Sequence, residues 1–144
     1  MNLKDEEGAS LAEFGLGFAI LSMSIFGIIA FCGAMYSCVF VSEEAREVSR
    51  YAMVRGSACT GFSDCNINTS APVNTYVQNH LYPGIRRANV TATAAWSGGN
   101  SPSNAPGNVV TVTVNYNFPL AIPFWPKSGS ILHLTSSSQM AISQ

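Results

Sequence analysis

The sequence has 144 residues, of which 47% are hydrophobic and only 10% are charged, and its formal net charge is −1. So few cations leave no basic surface for nucleic acid, and the apolar content argues against a disordered chain. The composition is typical of one membrane segment joined to one small folded domain.

The first predicted element is a long helix over residues 9–56. Within it, residues 14–42 contain no Asp, Glu, Lys, Arg or His. At about 1.5 Å per residue, a helix over 14–42 reaches roughly 40 Å, which exceeds the ~30 Å hydrocarbon core of a bilayer. A cleavable secretory signal has an apolar stretch of only about 7–15 residues. We therefore predict a retained, single-pass membrane anchor over 14–42, surrounded by lipid.

The second half of this helix, residues 43–56, is predicted to leave the membrane and to be amphipathic. An apolar stripe at helical spacing begins at the end of the anchor and continues through this half, and it consists of Val41, Ala45, Val48 and Ala52. Two opposite-charge pairs lie three residues apart, Glu43 with Arg46 and Glu47 with Arg50. Gly56 is the predicted end of the helix.

The four cysteines divide by location. Cys32 and Cys38 lie in the anchor, where their side chains cannot meet, and we interpret them as small buried hydrophobic residues. Cys59 and Cys65 flank a short polar loop, a spacing that predicts a local disulfide and hence an oxidising compartment. A zinc site is the alternative, but it lacks a second close pair of ligands, so we expect no metal and no other cofactor.

Residues 57–144 are predicted to form one β-rich head domain. After a polar loop, a short helix is expected over residues 73–81, where Tyr76, Val77, His80 and Leu81 recur at helical spacing and Pro83 stops the helix. A Gly-, Pro- and Ser-rich stretch, residues 97–108, is expected to be a flexible connection.

Three strands are expected in this head. Even-numbered residues from Val90 to Trp96 and from Val110 to Phe118 are mostly apolar, and they alternate with mostly polar odd-numbered residues. Prolines 119, 123 and 126 interrupt the following apolar stretch, and a last strand is predicted from Ile131 towards Ile142, with Leu132 and Leu134 inward. The predicted fold is therefore α+β, a long helix, a short helix and a three-stranded antiparallel sheet. We expect the exposed half of the long helix to cover the apolar face of that sheet.

A glycine, a small residue and an acid precede the apolar run, at Gly8, Ala9 and Glu13, and Phe14 follows directly. This arrangement resembles the processing site of type IV pilins and pseudopilins, particularly those of the tight-adherence (Tad, or Flp) class. A second block resembles the pattern that follows the anchor in TadE-like proteins of that system. Its residues are Ala45, Arg46, Glu47, Arg50, Tyr51 and Arg55.

The resemblance implies that residues 1–8 are a leader and that a prepilin peptidase cuts between Gly8 and Ala9. Glu13 then becomes the fifth residue of the mature chain, which in such families is thought to meet the new terminal amine of its own or a neighbouring subunit. A carboxylate at the edge of hydrocarbon is costly unless it is paired, protonated or hydrated. We therefore expect Glu13, beside Phe14, to set the axial register between packed helices.

Small residues four apart in the anchor let helix backbones approach closely. These pairs are Gly15 with Ala19, Ala30 with Ala34, and Gly33 with Ser37. We interpret them as a face for packing against other pilin-like helices, although glycine and alanine are also common in membrane helices generally.

Two signals disagree about which side of the membrane holds the head. Arg46, Arg50 and Arg55 follow the anchor, and the positive-inside rule alone would place them in the cytoplasm. The cysteine pair and the processing motif favour the opposite side. We therefore expect an inner-membrane protein with its head in the periplasm, available for incorporation into an extracellular pilus.

The sequence lacks a phosphate-binding glycine loop, a paired-carboxylate motif and an HExxH motif, so we expect no enzymatic activity and no small-molecule substrate. The expected role is that of a minor pilin or pseudopilin in assembly, priming or the tip of a Tad-type pilus. Its partners would be other pilin-like subunits and the assembly machinery. One alternative is the major repeating subunit of such a filament. Another is a monomeric anchored module whose head adheres to a surface ligand.

Overall fold

The long amino-terminal helix, α1, spans Leu3–Met53. The computed structural model describes residues 3–120 and 130–143, with side chains described for residue 8 and residues 10–120 and 131–143. α1 therefore begins before the predicted start at residue 9. It ends before the predicted Gly56. Arg55 N–H donates to the Ala52 carbonyl in a tighter turn (3.2 Å), and Ser143 N–H donates to the Met53 carbonyl (3.0 Å).

The described residues belong to two units, each with its own packing. The first contains α1 up to residue 35. The second, which we call the head, contains residues 36–118 and 132–143.

The packing of the head begins inside the predicted anchor. Ser37, Phe40 and Val41 are at most 2% exposed. The part of the anchor outside the head is therefore residues 14–35, which at about 1.5 Å per residue measures roughly 33 Å, still enough for a bilayer.

The second helix, α2, spans Ser70–Asn79, three residues ahead of the predicted start. Pro72 lies in its first turn, where a missing backbone N–H leaves no helical bond unmade. Val73 and Val77 are fully buried, whereas His80 lies just beyond the helix and is exposed.

The sheet has three strands in the order β1-β2-β3. Their bounds are Val90–Ser97, Val109–Leu120 and Ser130–Ala141. β1 and β2 are antiparallel, with Val90 opposite Tyr116 and Trp96 opposite Val110. The α+β class and the antiparallel sheet are confirmed. Pro119 lies inside β2, while the predicted interruptions at residues 123 and 126 lie outside the described residues.

One apolar core joins the carboxyl-terminal half of α1 to the sheet and α2. The predicted helical stripe is at most 2% exposed, and it consists of Val41, Ala45, Val48 and Ala52. In the same core lie Val110, Val112 and Val114, all 0% exposed. Burying each such side chain contributes about 1.5–3 kcal/mol. The prediction that the helix covers the sheet is therefore confirmed.

Two details of the head differ from the sequence prediction. Leu132, expected inward, is 42% exposed, whereas Leu134 packs against the core. The connection over residues 97–108, expected to be flexible, is hydrogen-bonded, since the buried Asn108 amide donates to the carbonyls of Asn100 (2.8 Å) and Ser103 (3.0 Å). Gly98 is required there, because a Cβ at that position would lie 1.9 Å from Asn108 Oδ1.

Candidate functional site

The first candidate surface is the apolar part of α1, which we call the anchor surface and define as residues 11–35. One helix among the described residues is long and apolar enough to cross a membrane, and this is that helix. Phe14 is 76% exposed and Ile28 is 64% exposed. The Ser24 hydroxyl donates to the Ile20 carbonyl one turn back (2.9 Å), which satisfies it without water. An apolar surface of this extent is covered by lipid or by other protein in a stable molecule.

The residues that resemble a processing and register motif lie at the amino end of this surface. Gly8 is exposed, and Ala9 belongs to the same helical segment. Glu13 and Phe14 are both exposed, so neither has a place in a core of the described chain.

The small-residue pairs differ in accessibility. Gly15 and Ala19 are exposed, and a Cβ at Gly15 would meet nothing within 4 Å. Ala30, Gly33 and Ala34 are half-buried, and Ser37 is only 2% exposed. Ser37 therefore belongs to the packing of the head, and the pair open to another helix is Gly15 with Ala19.

The block that follows the anchor divides between core and surface. Ala45 is fully buried, whereas Arg46 is exposed and pairs with Glu43 (3.4 Å), as predicted. The predicted Glu47–Arg50 pair is not among the ion pairs of the described residues, and Glu47 Oε1 accepts a hydrogen bond from the Tyr76 hydroxyl (2.9 Å). Arg50 is left on the exposed face of α1.

Arg55 is the centre of a cluster of four side chains. We define this Arg55 cluster as Tyr51, Arg55, Phe62 and Asp64, of which the sequence analysis singled out only Tyr51 and Arg55. The guanidinium carbon lies 3.9 Å from the centroid of the Tyr51 ring and 4.7 Å from that of Phe62. Arg55 Nε lies 2.9 Å from Asp64 Oδ2. Phe62 and Asp64 belong to the loop closed by the Cys59–Cys65 disulfide, so Arg55 fastens that loop to the end of α1.

The same cluster shifts two pKa values in opposite directions. The Tyr51 hydroxyl donates to Asp64 Oδ2. This hydrogen bond, with the nearby Arg55, lowers the pKa of Asp64. Burial, together with the Asp64 carboxylate, raises the pKa of Tyr51 to about 12. The arrangement holds Asp64 charged and Tyr51 protonated over the neutral range.

An aromatic stack extends from this cluster to α2. The Tyr51 and Tyr76 rings are 4.2 Å apart, and the Tyr76 and His80 rings are 4.1 Å apart. An open cleft of about 670 Å³ lies beside these rings. In the described part of the chain, no group of three or more His, Cys, Asp or Glu side chains is placed to hold a metal ion.

Glu44 is the residue whose position the sequence pattern did not reveal. It lies in a charged block that suggests a solvated face, yet it is 1% exposed. Neither of its carboxyl oxygens has a hydrogen-bond partner among the described residues. Burial, and secondarily Glu47, raises the pKa of Glu44 to about 7, while His80 acts in the opposite direction.

The cysteines behave in two ways. Cys59 and Cys65 form the predicted disulfide, with their Cα atoms 5.5 Å apart. Cys32 and Cys38 are free, as expected, but both are exposed rather than buried. Both thiols are therefore accessible from outside the described part of the chain.

No protein-family model matches this chain, and comparisons with curated proteins and with solved structures also find no match. The likeness to pilins consequently rests on the sequence motifs.

Proposed function

We propose that this chain is a TadE-like minor pilin or pseudopilin, a membrane-anchored structural subunit of a Tad-type pilus that assembles by helix packing. The observation that carries the proposal is the anchor surface, an apolar helix segment whose large side chains are exposed while the same helix continues into the core of the head. An apolar helix surface of this kind can be surrounded by lipid or can pack against other helices.

Glu13 and Phe14, the residues that resemble a register motif, would set the axial alignment of packed helices. Glu13 is exposed at the start of the apolar run, next to Phe14, with Gly15 and Ala19 on the open part of the helix. At the edge of hydrocarbon, a carboxylate is stabilised by a neighbouring cation, and the amine released at Ala9 by processing is such a cation. One ion pair between two helices would fix their axial offset.

The head is proposed to lie outside the cytoplasm. The Cys59–Cys65 disulfide supports this side of the membrane, because structural disulfides persist in oxidising compartments. Arg55 pairs with Asp64 in the disulfide loop, which gives this cation a structural role in the head.

Substitution of Glu13 tests the proposal. In cells that assemble the pilus, Glu13→Ala is expected to abolish crosslinks between this chain and other pilin-like subunits, because the register-setting charge is lost. Ser10→Ala, one turn earlier on the same exposed helix, is the matched control and is expected to leave the crosslinks unchanged.

The amount of protein in the membrane is measured in parallel, since both variants keep the apolar run intact. Unchanged crosslinking and pilus formation in Glu13→Ala would contradict the proposal and would favour a monomeric anchored module. A purified filament made mostly of this chain would identify it as the major subunit instead.

A further inference from the structure

The two edges of the sheet differ in whether their outward backbone groups are hydrogen-bonded, and at the β1 edge these groups have partners. Side chains of α2 occupy the outward backbone groups of β1. Asn74 Oδ1 accepts from Ala92 N–H (3.0 Å), and Ser70 Oγ bonds both the N–H (3.0 Å) and the carbonyl (3.1 Å) of Ala94. Gln78 Nε2 donates to the Val90 carbonyl (2.8 Å). No further strand can be added at this edge while α2 is in place.

The opposite edge, at β3, has no such cover from the residues that the structure describes. β3 neighbours β2 alone, and among residues 3–120 and 130–143 no hydrogen bond reaches the outward backbone groups of residues 133–139. This segment contains no Asp, Glu, Lys, Arg or Pro, the residues with which proteins commonly block an edge strand. It is a long, uncharged edge that no described residue covers.

The outward groups can be identified from the register. His133 bonds the Asn117 side chain (2.7 Å) and Thr135 bonds that of Asn115 (2.8 Å), so these residues lie opposite each other across β2 and β3. Ile142 N–H donates to the Asn108 carbonyl (2.8 Å), which directs the even-numbered backbone groups of β3 towards β2. The odd-numbered groups, at His133, Thr135, Ser137 and Gln139, therefore point to the open edge, and all four residues are exposed.

A groove runs beside this edge. It has a volume of about 370 Å³ and is lined by Cys38, Val41 and Ser42 of α1 and by residues 133–136 of β3. A strand added to β3 would place alternate side chains in this groove, against α1. Backbone bonding combined with a pocket for alternate side chains is the usual form of strand addition.

We propose that the edge of β3 over residues 133–139 accepts an extended, uncharged segment of a different protein chain as a fourth strand, antiparallel to β3. That segment would carry apolar residues on the side facing α1 and polar residues on the side of His133, Thr135 and Ser137. Charged side chains do not suit it, because β3 offers no charge to pair with them.

The choice of a different chain rather than a second copy rests on the proposed membrane anchoring. α1 runs in the same direction as β3, since Val41 and Ser42 lie beside residues 133–136, Ser49 bonds Ser138 (2.9 Å), and Met53 bonds Ser143 (3.0 Å). Antiparallel pairing of two β3 edges would point the two helices in opposite directions, which one membrane does not allow. Parallel pairing of these edges would set the Leu134 face of one copy beside the Thr135 face of the other, apolar beside polar.

The test uses the full chain in detergent micelles and a synthetic peptide that copies residues 109–117, an uncharged sequence with apolar residues at even positions. Binding of the labelled peptide is followed by fluorescence anisotropy. N-methylation of the peptide at Thr111 and Thr113 removes the donors that would face β3, and we expect it to weaken binding by at least about tenfold. N-methylation at Val112 and Val114 removes donors that face away, and it serves as the matched control.

On the protein side, Ser137→Pro removes one outward N–H without breaking the ladder to β2, and proline is tolerated at such edge positions. It should weaken peptide binding by about tenfold, whereas Ser137→Ala keeps the N–H and should change it by less than about twofold. Slow hydrogen exchange at the amides of Leu134, Ser136 and Ser138 verifies that each variant is folded.

Equal binding of the two methylated peptides, or full binding by Ser137→Pro, would overturn the proposal. So would a disulfide between two copies of Ser137→Cys in a chain with Cys32 and Cys38 replaced by alanine, because that result makes a second copy the occupant. No pilus component takes part in this assay, and Glu13→Ala should bind the peptide normally. Failure here therefore differs from failure of the proposed function.

Discussion

Arg50 and Arg55 are close in sequence but have different surroundings. Arg50 is exposed on α1, whereas Arg55 lies between two aromatic rings and beside Asp64. The Arg55 side chain is only 16% exposed, so its contacts are poorly screened by water. These contacts connect the end of α1 to the disulfide loop.

Replacement of Arg55 by alanine should therefore destabilise the head by about 1–2 kcal/mol, through the lost contacts with the Tyr51 and Phe62 rings and the lost ion pair with Asp64, which is 42% exposed and keeps its hydrogen bond from Tyr51. Arg50→Ala should cost no more than about 0.5 kcal/mol, as is usual for an exposed residue. Chemical unfolding of the full chain in micelles measures both. Equal effects of the two substitutions would show that the Arg55 cluster has no special structural role.

Glu44 leads to a prediction about pH. Its pKa is raised from the model-compound value of 4.5 to about 7, so between these pH values the unfolded chain loses a proton that the folded chain keeps. The stability of the head should consequently fall as pH rises from 4.5 to 7, by up to about 3 kcal/mol at about 1.4 kcal/mol per pKa unit. Below pH 4.5 Glu44 is protonated in both the folded and the unfolded chain, so this loss of stability is absent.

Glu44→Gln should abolish that part of the pH dependence, whereas Glu43→Gln, on the exposed side of the same turn, should retain it. Unfolding free energies measured at pH 4.5 and pH 8 make the comparison. The same pH dependence in Glu44→Gln and the parent chain would mean that Glu44 is ionised in the folded head.

At the level of elements, local patterns account for most of what the sequence predicted correctly. The period-two alternation from Val110 to Phe118 defines β2, and the stripe from Val41 to Ala52 defines the buried face of α1. The ends of α1 and α2 were less well predicted, since Met53 and Ser70 are fixed by partners far along the chain, Ser143 and Ala94. No local pattern contains that information.

Asn74 illustrates how α2 and β1 depend on each other. Its side-chain oxygen accepts the outward N–H of Ala92, so Asn74→Ala leaves this donor without a partner and should cost about 1–3 kcal/mol. Thr75 lies on the exposed side of the same helix, and its hydroxyl donates to the Ala71 carbonyl one turn back. Thr75→Ala should therefore cost much less. The amide of Ala92 should also exchange faster with solvent in Asn74→Ala. An unchanged exchange rate would contradict the assigned role of Asn74 at this edge.

For the whole molecule, the sequence predicted the candidate surfaces unevenly. The anchor surface followed from an uninterrupted apolar run, which composition and length alone reveal. The Arg55 cluster, the burial of Glu44 and the open edge of β3 did not follow, because each depends on residues brought together only by folding. An acid between two cysteines, Asp64, was the one available signal for the partner of Arg55.

We propose that this chain is a pilin-like subunit, processed at the start of its anchor and assembled through it. Mass spectrometry of the amino terminus of the chain purified from native membranes tests this claim most directly. We expect a mature chain that begins at Ala9 and contains the Cys59–Cys65 disulfide. A membrane-extracted chain that still begins at Met1 would contradict it and leave an ordinary anchored protein.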